Sequence, residues 1–594
     1  MKTRHNISLV ALLALAGAFF VSCAKGPEEH SVPPTPVPEG TGYFTFGISL
    51  DNPAVTRADG TDAGLAGESS LNSMRIIFYN GAGVAVLVED FEVYENYDHL
   101  YIDYSDYTKR GEICFGSDNT VPIPPGGIAD IVIRRNPIEL PVQDYQIAVL
   151  FNHEFGAPQA KEGNMNLRES TETAGHVRSI LQTPMNFHDY WISYWDNYPY
   201  PWGPGFDYPN QEAYYIFTNS FMSLIGGHIQ NSDYLGGFST DYLHIFMSNA
   251  DGFASVGADQ LKNTTPAAPF TLPDPIRVDR AVAKVVLYKG SGVNDSQVND
   301  LTWVPDILNF SMYPIRVPDK VAPAFASSGD AEGKELPATN RAYRYAKDPN
   351  WDGYSRLRGT SWREPEKEFM YITSDRITDI KSDYANDVFE KTWNESKPAY
   401  KDNWYYIPEN TMTANEQWED VTTRALIRCN YVPPTSMTIG GSQIEEYTSY
   451  YAFQGKAIPV EQFLDYLADP ESLPAELDDL RPALRDASAG ETLAPGGSEP
   501  EESLSAYGVS FYKDGVNFYA IPIRHFDDAK SPAPMGYGRY GIVRNNVYNI
   551  TIDGFYGPGS PLIPAPEGPD DKDSNIRASV KVVDWKRQHL GFEF

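Results

Sequence analysis

Cysteine is scarce. The 594 residues contain three, Cys23, Cys114 and Cys429, too few for a disulfide scaffold and without the CxxC spacing of a zinc site. Stability must then come from apolar burial, and with 41% apolar and 13% aromatic residues the chain has ample material for it. Positive charge is also short: 47 Lys and Arg face 80 Asp and Glu, a net charge of -33. That balance repels phosphate backbones, so nucleic acid is excluded as a partner. Catalytic signatures are missing as well. The ten histidines form no HExxH, and there is no GxSxG elbow, phosphate-cradling GxxxxGK[ST] or GxGxxG after a strand. Eighty carboxylates will bring some acidic pair to glycosidase spacing in any fold, so their number supports no enzyme. His525, beside Arg524 and before Asp527-Asp528, reads as a hydrogen-bonded structural histidine. No enzymatic activity, cofactor or metal is expected.

The N-terminus is an address. Lys2 and Arg4 precede an apolar run from Leu9 to Val21, and Val21-Ser22-Cys23 sets a small residue before a cysteine. The run is too short to span a bilayer, and no other stretch has the roughly 18 apolar residues a membrane helix needs. The arrangement is similar to the lipobox of bacterial lipoproteins, which implies that Cys23 carries lipid, palmitate included. Residues 24–42 form a Pro- and Glu-rich linker. Cys114 and Cys429 lie in different halves and read as buried free thiols, with a disulfide between them in an oxidising envelope as the alternative.

Structure is expected from Tyr43. Phe44, Phe46, Ile48 and Leu50 alternate with Thr45, Gly47 and Ser49, which puts four large side chains on one face of a strand over 43–50. Residues 51–72 are rich in Gly, Ala, Asp and Ser, an exposed loop with Arg57 in it. Strand-like runs separated by Gly, Pro and Asn-Asp punctuation follow, so the chain reads as all-β. The segment 186–217 is dense in Trp, Tyr and Pro. It reads as a Pro-locked insertion over a sheet, or as a sugar-stacking platform built from Tyr190, Trp191, Trp195 and Trp202. Strand patterning restarts at Ile276 after a Pro-rich stretch, which puts a domain boundary at 274/275. Phe463, Leu464, Leu467, Leu477, Leu480 and Leu484 recur at helical spacing and predict short surface helices over 460–486.

The C-terminal segment completes the pattern. After Gly557-Pro558-Gly559-Ser560-Pro561, a Pro- and Asp-rich spacer reaches Asn575. Ile576, Ala578, Val580 and Val582 then alternate with polar residues, the phase slips near Val583 to Trp585, and Leu590, Phe592 and Phe594 restore it. An amphipathic strand there is an edge hazard unless a sheet receives it, either its own or a neighbour's. The first strand offers the means. It is held too firmly to leave unaided, but a cut at Arg57 would sever it and open a hydrophobic groove. A strand of another subunit could fill that groove, and such head-to-tail contacts build filaments.

Several runs carry a resemblance. Asp279-Arg280-Ala281-Val282-Ala283-Lys284-Val285, Tyr406-Ile407-Pro408-Glu409-Asn410-Thr411, Ile523-Arg524-His525 and, most specifically, Tyr540-Gly541-Ile542-Val543-Arg544-Asn545-Asn546-Val547-Tyr548 leading to Gly557-Pro558-Gly559 are similar to the Mfa1-type fimbrillins. These form the major fimbrial subunit family of Bacteroidales type V pili. The likeness covers the export signal, the N-terminal half loosely and the C-terminal half well. It implies two tandem transthyretin-like β-sandwich domains, exported as an outer-membrane lipoprotein precursor. It also implies that an arginine-specific protease cuts in the loop after the first strand, and that C-terminal strands of one subunit fill the groove of the next. Arg57 matches the cleavage loop, and Ile576 to Phe594 match the donor. The insertions at 186–217 and 460–486 depart from shorter members and leave shaft, tip and accessory placements open. Arg280, Lys284 and Arg544 themselves read as fixing a turn or a sheet edge.

The expected organisation is a signal peptide at 1–23, a linker at 24–42, and β-sandwich domains at 43–274 and 275–560 with short helical insertions. A spacer with donor strands occupies 561–594. The expected function is that of a non-enzymatic pilin in adhesive cell-surface fimbriae. Its partners would be other fimbrial subunits, in a homopolymer or with anchor and tip proteins, together with the maturation protease and, through lipid, the outer membrane. The alternative is a monomeric surface glycan-binding lipoprotein using Tyr190, Trp191, Trp195 and Trp202; an acid-pair glycosidase ranks third.

Overall fold

A computed structural model of the chain describes residues 40–49, 61–62, 73–96, 99–103, 113–114, 121–122, 131–135, 137–153, 170–186, 245–318, 346–351, 368–371, 391–392, 404–412, 418–488, 502–525, 541–566, 575–585 and 590–593. Strands dominate, and the helices are few and short. The all-β expectation therefore holds, because period-two apolar patterning can bury a face only as a sheet.

In the N-terminal half, a long sheet runs from Ile113–Cys114 through Ile131–Arg135, Leu590–Glu593, Gly47–Ser49, Ile276–Arg280, Met247–Asn249, Tyr145–Phe151, Ser73–Asn80, Ala85–Asn96 and His99–Asp103 to Val121–Pro122. A second layer orders Ile138–Pro141, Thr41–Thr45 and Phe270–Thr271. The C-terminal half is a sandwich. One sheet orders Trp404–Pro408, Val282–Lys289, Asn546–Phe555, Ile576–Trp585 and Thr61–Asp62; the other orders Lys391–Thr392, Val298–Asp306, Arg424–Tyr431 and Val516–Pro522. Aromatic rings meet edge to face between these two layers, Trp303 with Tyr405 at 5.0 Å and Tyr519 with Phe555 at 4.9 Å. Val282–Lys289 runs parallel to Asn546–Phe555 and is buried almost throughout, whereas Val516–Pro522 alternates buried and half-buried residues.

Two features differ from the reading of the sequence. The chain passes from one half's sheet to the other's at Ala281, because Ile276–Arg280 still pairs with Gly47–Ser49 and Met247–Asn249. A Pro-rich stretch marks where a strand starts, not which sheet it joins. The helical insertion is also larger than 460–486. Arg424–Tyr431 and Val516–Pro522 are hydrogen-bonded neighbours, and between them the described residues 432–488 and 502–515 fold as a unit. Helices Val460–Ala468 and Arg481–Ser488 pack over a small sheet of Lys456–Pro459, Tyr450–Phe453 and Val509–Tyr512. This unit has its own core, with Phe463, Leu477, Leu480, Leu484 and Leu504 buried together.

Candidate strand-exchange site

The opening strand crosses between two sheets. Thr41–Thr45 lies antiparallel to Ile138–Pro141 and parallel to Phe270–Thr271, while Gly47–Ser49 lies parallel to Ile276–Arg280 and antiparallel to Leu590–Glu593. Phe46 is the hinge between the two runs. Phe44, Phe46 and Ile48 are buried; Phe44 and Phe46 stack at 5.5 Å, and both meet the edge of Phe78, at 5.7 and 6.3 Å. Each such side chain contributes about 1.5–3 kcal/mol, so the strand does not leave spontaneously. Tyr43 N donates to Thr264 Oγ1 at 2.7 Å, and Leu272 N to the Thr45 carbonyl at 3.1 Å. Gly42 permits this seating: a Cβ there would stand 2.7 Å from Leu261 Cβ and 2.9 Å from its carbonyl oxygen.

The tail is folded back on its own chain, and its two runs stand differently. Ile576–Trp585 pairs antiparallel with Asn546–Phe555 across nearly its whole length, with one bulge between Ile552 and Gly554. Ile576 is buried, and Ala578 and Val580 are half-buried. Among the described residues its outer edge meets Thr61–Asp62, opposite Asp584 and Trp585. Leu590–Glu593 instead enters the N-terminal sheet, where Phe592 stands opposite Ile48. The backbone of Val582, Leu590 and Phe592 is thus placed in strands.

Where the chain passes between the halves, a buried polar hub gathers runs that are far apart in sequence. Arg544 Nε donates to Glu409 Oε2 at 2.9 Å, and Arg544 N donates to Glu409 Oε1 at 3.2 Å. Its guanidinium also donates to the Tyr313 and Pro314 carbonyls, at 2.8 and 3.4 Å. Arg316 bridges Asp279 Oδ2 and the Arg544 carbonyl, each at 3.0 Å. Arg280 donates to Asn545 Oδ1 at 3.0 Å, and Asn545 holds a φ of 61°, a conformation Asn tolerates. Burial pushes the Asp279 carboxyl up to about 6, outweighing the guanidinium groups of Arg316 and Arg544. Burial likewise holds His525 down to about 3, with Arg316 adding to the effect. Tyr548 Oη accepts from Val543 N at 2.7 Å and is hydrogen-bonded to His525 Nδ1 at 2.8 Å. Downstream, Gly559 N donates to Asn517 Oδ1 at 2.8 Å, while the Tyr512 and Tyr519 hydroxyls donate to the Gly559 and Gly557 carbonyls at 2.7 and 2.9 Å.

Residues 510–589, which supply much of this hub, match the family described as Major fimbrial subunit protein type IV, Fimbrillin, C-terminal. The C-terminal segment is thus similar to fimbrillins. Among solved structures, a candidate cell adhesion protein of Parabacteroides distasonis ATCC 8503 aligns at 12% identity and a TM-score of 0.34, over 92% of this chain and 100% of that one. A fimbrilin, FimA, of Porphyromonas gingivalis W83 aligns at 11% identity and a TM-score of 0.31, over 92% and 98%. The tip fimbrial protein Mfa3 of Porphyromonas gingivalis, with C-terminal truncation, aligns at 8% identity and a TM-score of 0.31, over 92% and 100%. No curated protein sequence matches the chain.

Cys23, Leu50, Arg57 and Phe594 lie outside the described residues, as do Tyr190, Trp191, Trp195 and Trp202. Cys429 is a buried free thiol whose ionisation burial opposes. Among the described residues no cluster of His, Cys, Asp or Glu is placed to hold a metal. Sequence reasoning missed Arg316 and the roles of Gly42 and Leu261. Gly42 directly before the alternating run was a usable signal; nothing around Arg316 distinguished it from a surface arginine.

Proposed function

We propose that the chain is a structural fimbrial subunit, exported as a lipoprotein lipidated at Cys23, cut at Arg57 and polymerised head to tail by strand exchange. The observation that carries this reading is the opening strand. It contributes Phe44, Phe46 and Ile48 to the core of two sheets, yet its chain continues into the small-residue segment that contains Arg57. Severed there, it leaves an apolar groove with unpaired backbone groups, a receptor for β-strand addition. The tail Ile576 to Phe594 has the complementary character: two amphipathic runs joined by a break, as Thr41–Thr45 and Gly47–Ser49 are joined at Phe46. The likeness of 510–589 to fimbrillins supports the same reading. The mature subunit then sits in a cell-surface fimbrium with other fimbrial subunits, and the outer membrane holds only the precursor.

Mixing the purified chain with an arginine-specific protease tests it. Cleavage near Arg57 followed by ladders that withstand heating in detergent is the expected result; a cut species that stays monomeric overturns it. Phe592→Asp combined with Phe594→Asp should stop elongation while leaving the fold intact, and unchanged filament yield rejects the donor assignment.

A further inference from the structure

The tail strand Leu590–Glu593 lies between two ladders, parallel to Ile131–Arg135 on one side and antiparallel to Gly47–Ser49 on the other. The opposed pairs on the second side are Gly47 with Glu593, Ile48 with Phe592 and Ser49 with Gly591. The order of the sheet gives this a consequence. Ile113–Cys114, Ile131–Arg135 and Leu590–Glu593 reach the rest of the sheet through Gly47–Ser49, which fills the gap between the tail and Ile276–Arg280. Taking out Gly47–Ser49 leaves a ribbon of three short strands detached from the large sheet, and such a ribbon is marginal on its own. The ladder then left to Leu590–Glu593 among the described residues is a four-residue parallel one, the weaker kind per residue.

We infer that the opening strand clamps the tail end of its own chain, so that its departure bares the acceptor groove and frees the Leu590–Glu593 run of the donor in one event, while Ile576–Trp585 stays on the C-terminal sheet. An uncut subunit is then doubly silent: its groove is full and its tail is held by the strand that fills it. Past the loop, Thr61–Asp62 pairs with the end of Ile576–Trp585, so a cut at Arg57 releases the opening strand while the following chain keeps its place on the C-terminal sheet. The consequence for assembly rests on the strand-exchange reading; the clamp itself is a property of the single uncut chain.

The test uses the full, uncut chain. Gly42→Ala forces a Cβ against Leu261, loosening the opening strand at a site that pairs with Leu140 and not with the tail. Backbone amide exchange at 47–49 and at 590–593 should accelerate together, by about tenfold or more, with 424–431 unchanged. Acceleration at 47–49 with 590–593 still exchanging as in the parent chain overturns the clamp. Should Gly42→Ala fail to fold, Ile48→Cys with Phe592→Cys replaces it. Oxidation should then link the two strands within one monomer and, after protease treatment, hold filament formation back until reductant is added. No intramolecular link, or filaments with the link intact, overturns the clamp. Cut chains that never polymerise, with or without reductant, sink the strand-exchange reading instead, and the exchange comparison still decides the clamp.

Discussion

Arg544 and Glu409 form a buried ion pair at 2.9 Å across a sequence separation of 135 residues, with their side chains 0% and 5% exposed. The pair ties the start of Asn546–Phe555 to the end of Trp404–Pro408, next to the point where the chain leaves the N-terminal sheet. Removing one member strands the other charge without water. Glu409→Ala should therefore cost about 3–5 kcal/mol of unfolding free energy, read from urea midpoints. Arg544→Lys should fail to restore stability, since an ammonium cannot reach Glu409 and the Tyr313 and Pro314 carbonyls together. A Glu409→Ala cost within about 0.5 kcal/mol of zero would show that the hub is not a structural joint.

Two hub groups should give opposite pH signatures. Asp279 titrates near 6 in the fold against an ordinary 3.8, so its contribution is fully present below 3.8 and lost as pH rises through 6. His525 titrates near 3 against 6.5; its contribution is present above 6.5 and lost as pH falls toward 3. Stability of Asp279→Asn minus parent should thus fall as pH drops from 6 to 4, while that of His525→Gln minus parent should rise below 6.5. Both differences should be flat above pH 7.5. Equal slopes of one sign in chemical denaturation would contradict the assignment.

Gly559 sits where no side chain fits. An added Cβ would fall on the Phe518 carbonyl oxygen and 2.9 Å from the Tyr519 ring. Phe518 N and Ser560 N exchange hydrogen bonds with each other's carbonyls, both at 2.8 Å, and so cover the edge of Val516–Pro522. Gly559→Ala should lower stability by about 1–3 kcal/mol and expose that edge, detected as faster exchange at 516–522.

The 432–515 insertion should behave as a separate cooperative unit. Leu480→Ala removes a buried side chain from its private core and should cost that unit about 2–5 kcal/mol. Amide exchange should accelerate across 450–488 while strands 282–289 and 546–555 keep their protection. Uniform acceleration would mean the insertion is part of the main core.

Phe44, Phe46 and Ile48 were legible in the sequence because burial on one sheet face demands a period of two, Phe463 and Leu484 because an α-helix face demands 3.6, and Leu477 and Leu480 because the 3-10 turn they occupy repeats every three. The same local rules predicted an amphipathic tail in two runs. Which sheets receive them was beyond local pattern. Ile576–Trp585 joins the C-terminal sheet and Leu590–Glu593 the N-terminal one, because backbone ladders are indifferent to side-chain identity and any bare edge of matching phase will serve. Arg280 and Arg544 read as fixing a turn or a sheet edge, and nothing local showed that they share a buried hub with Asp279, Arg316 and Glu409. Only the tertiary fold decides which charges leave water together, and pairing between residues far apart in the chain leaves no periodic trace in it.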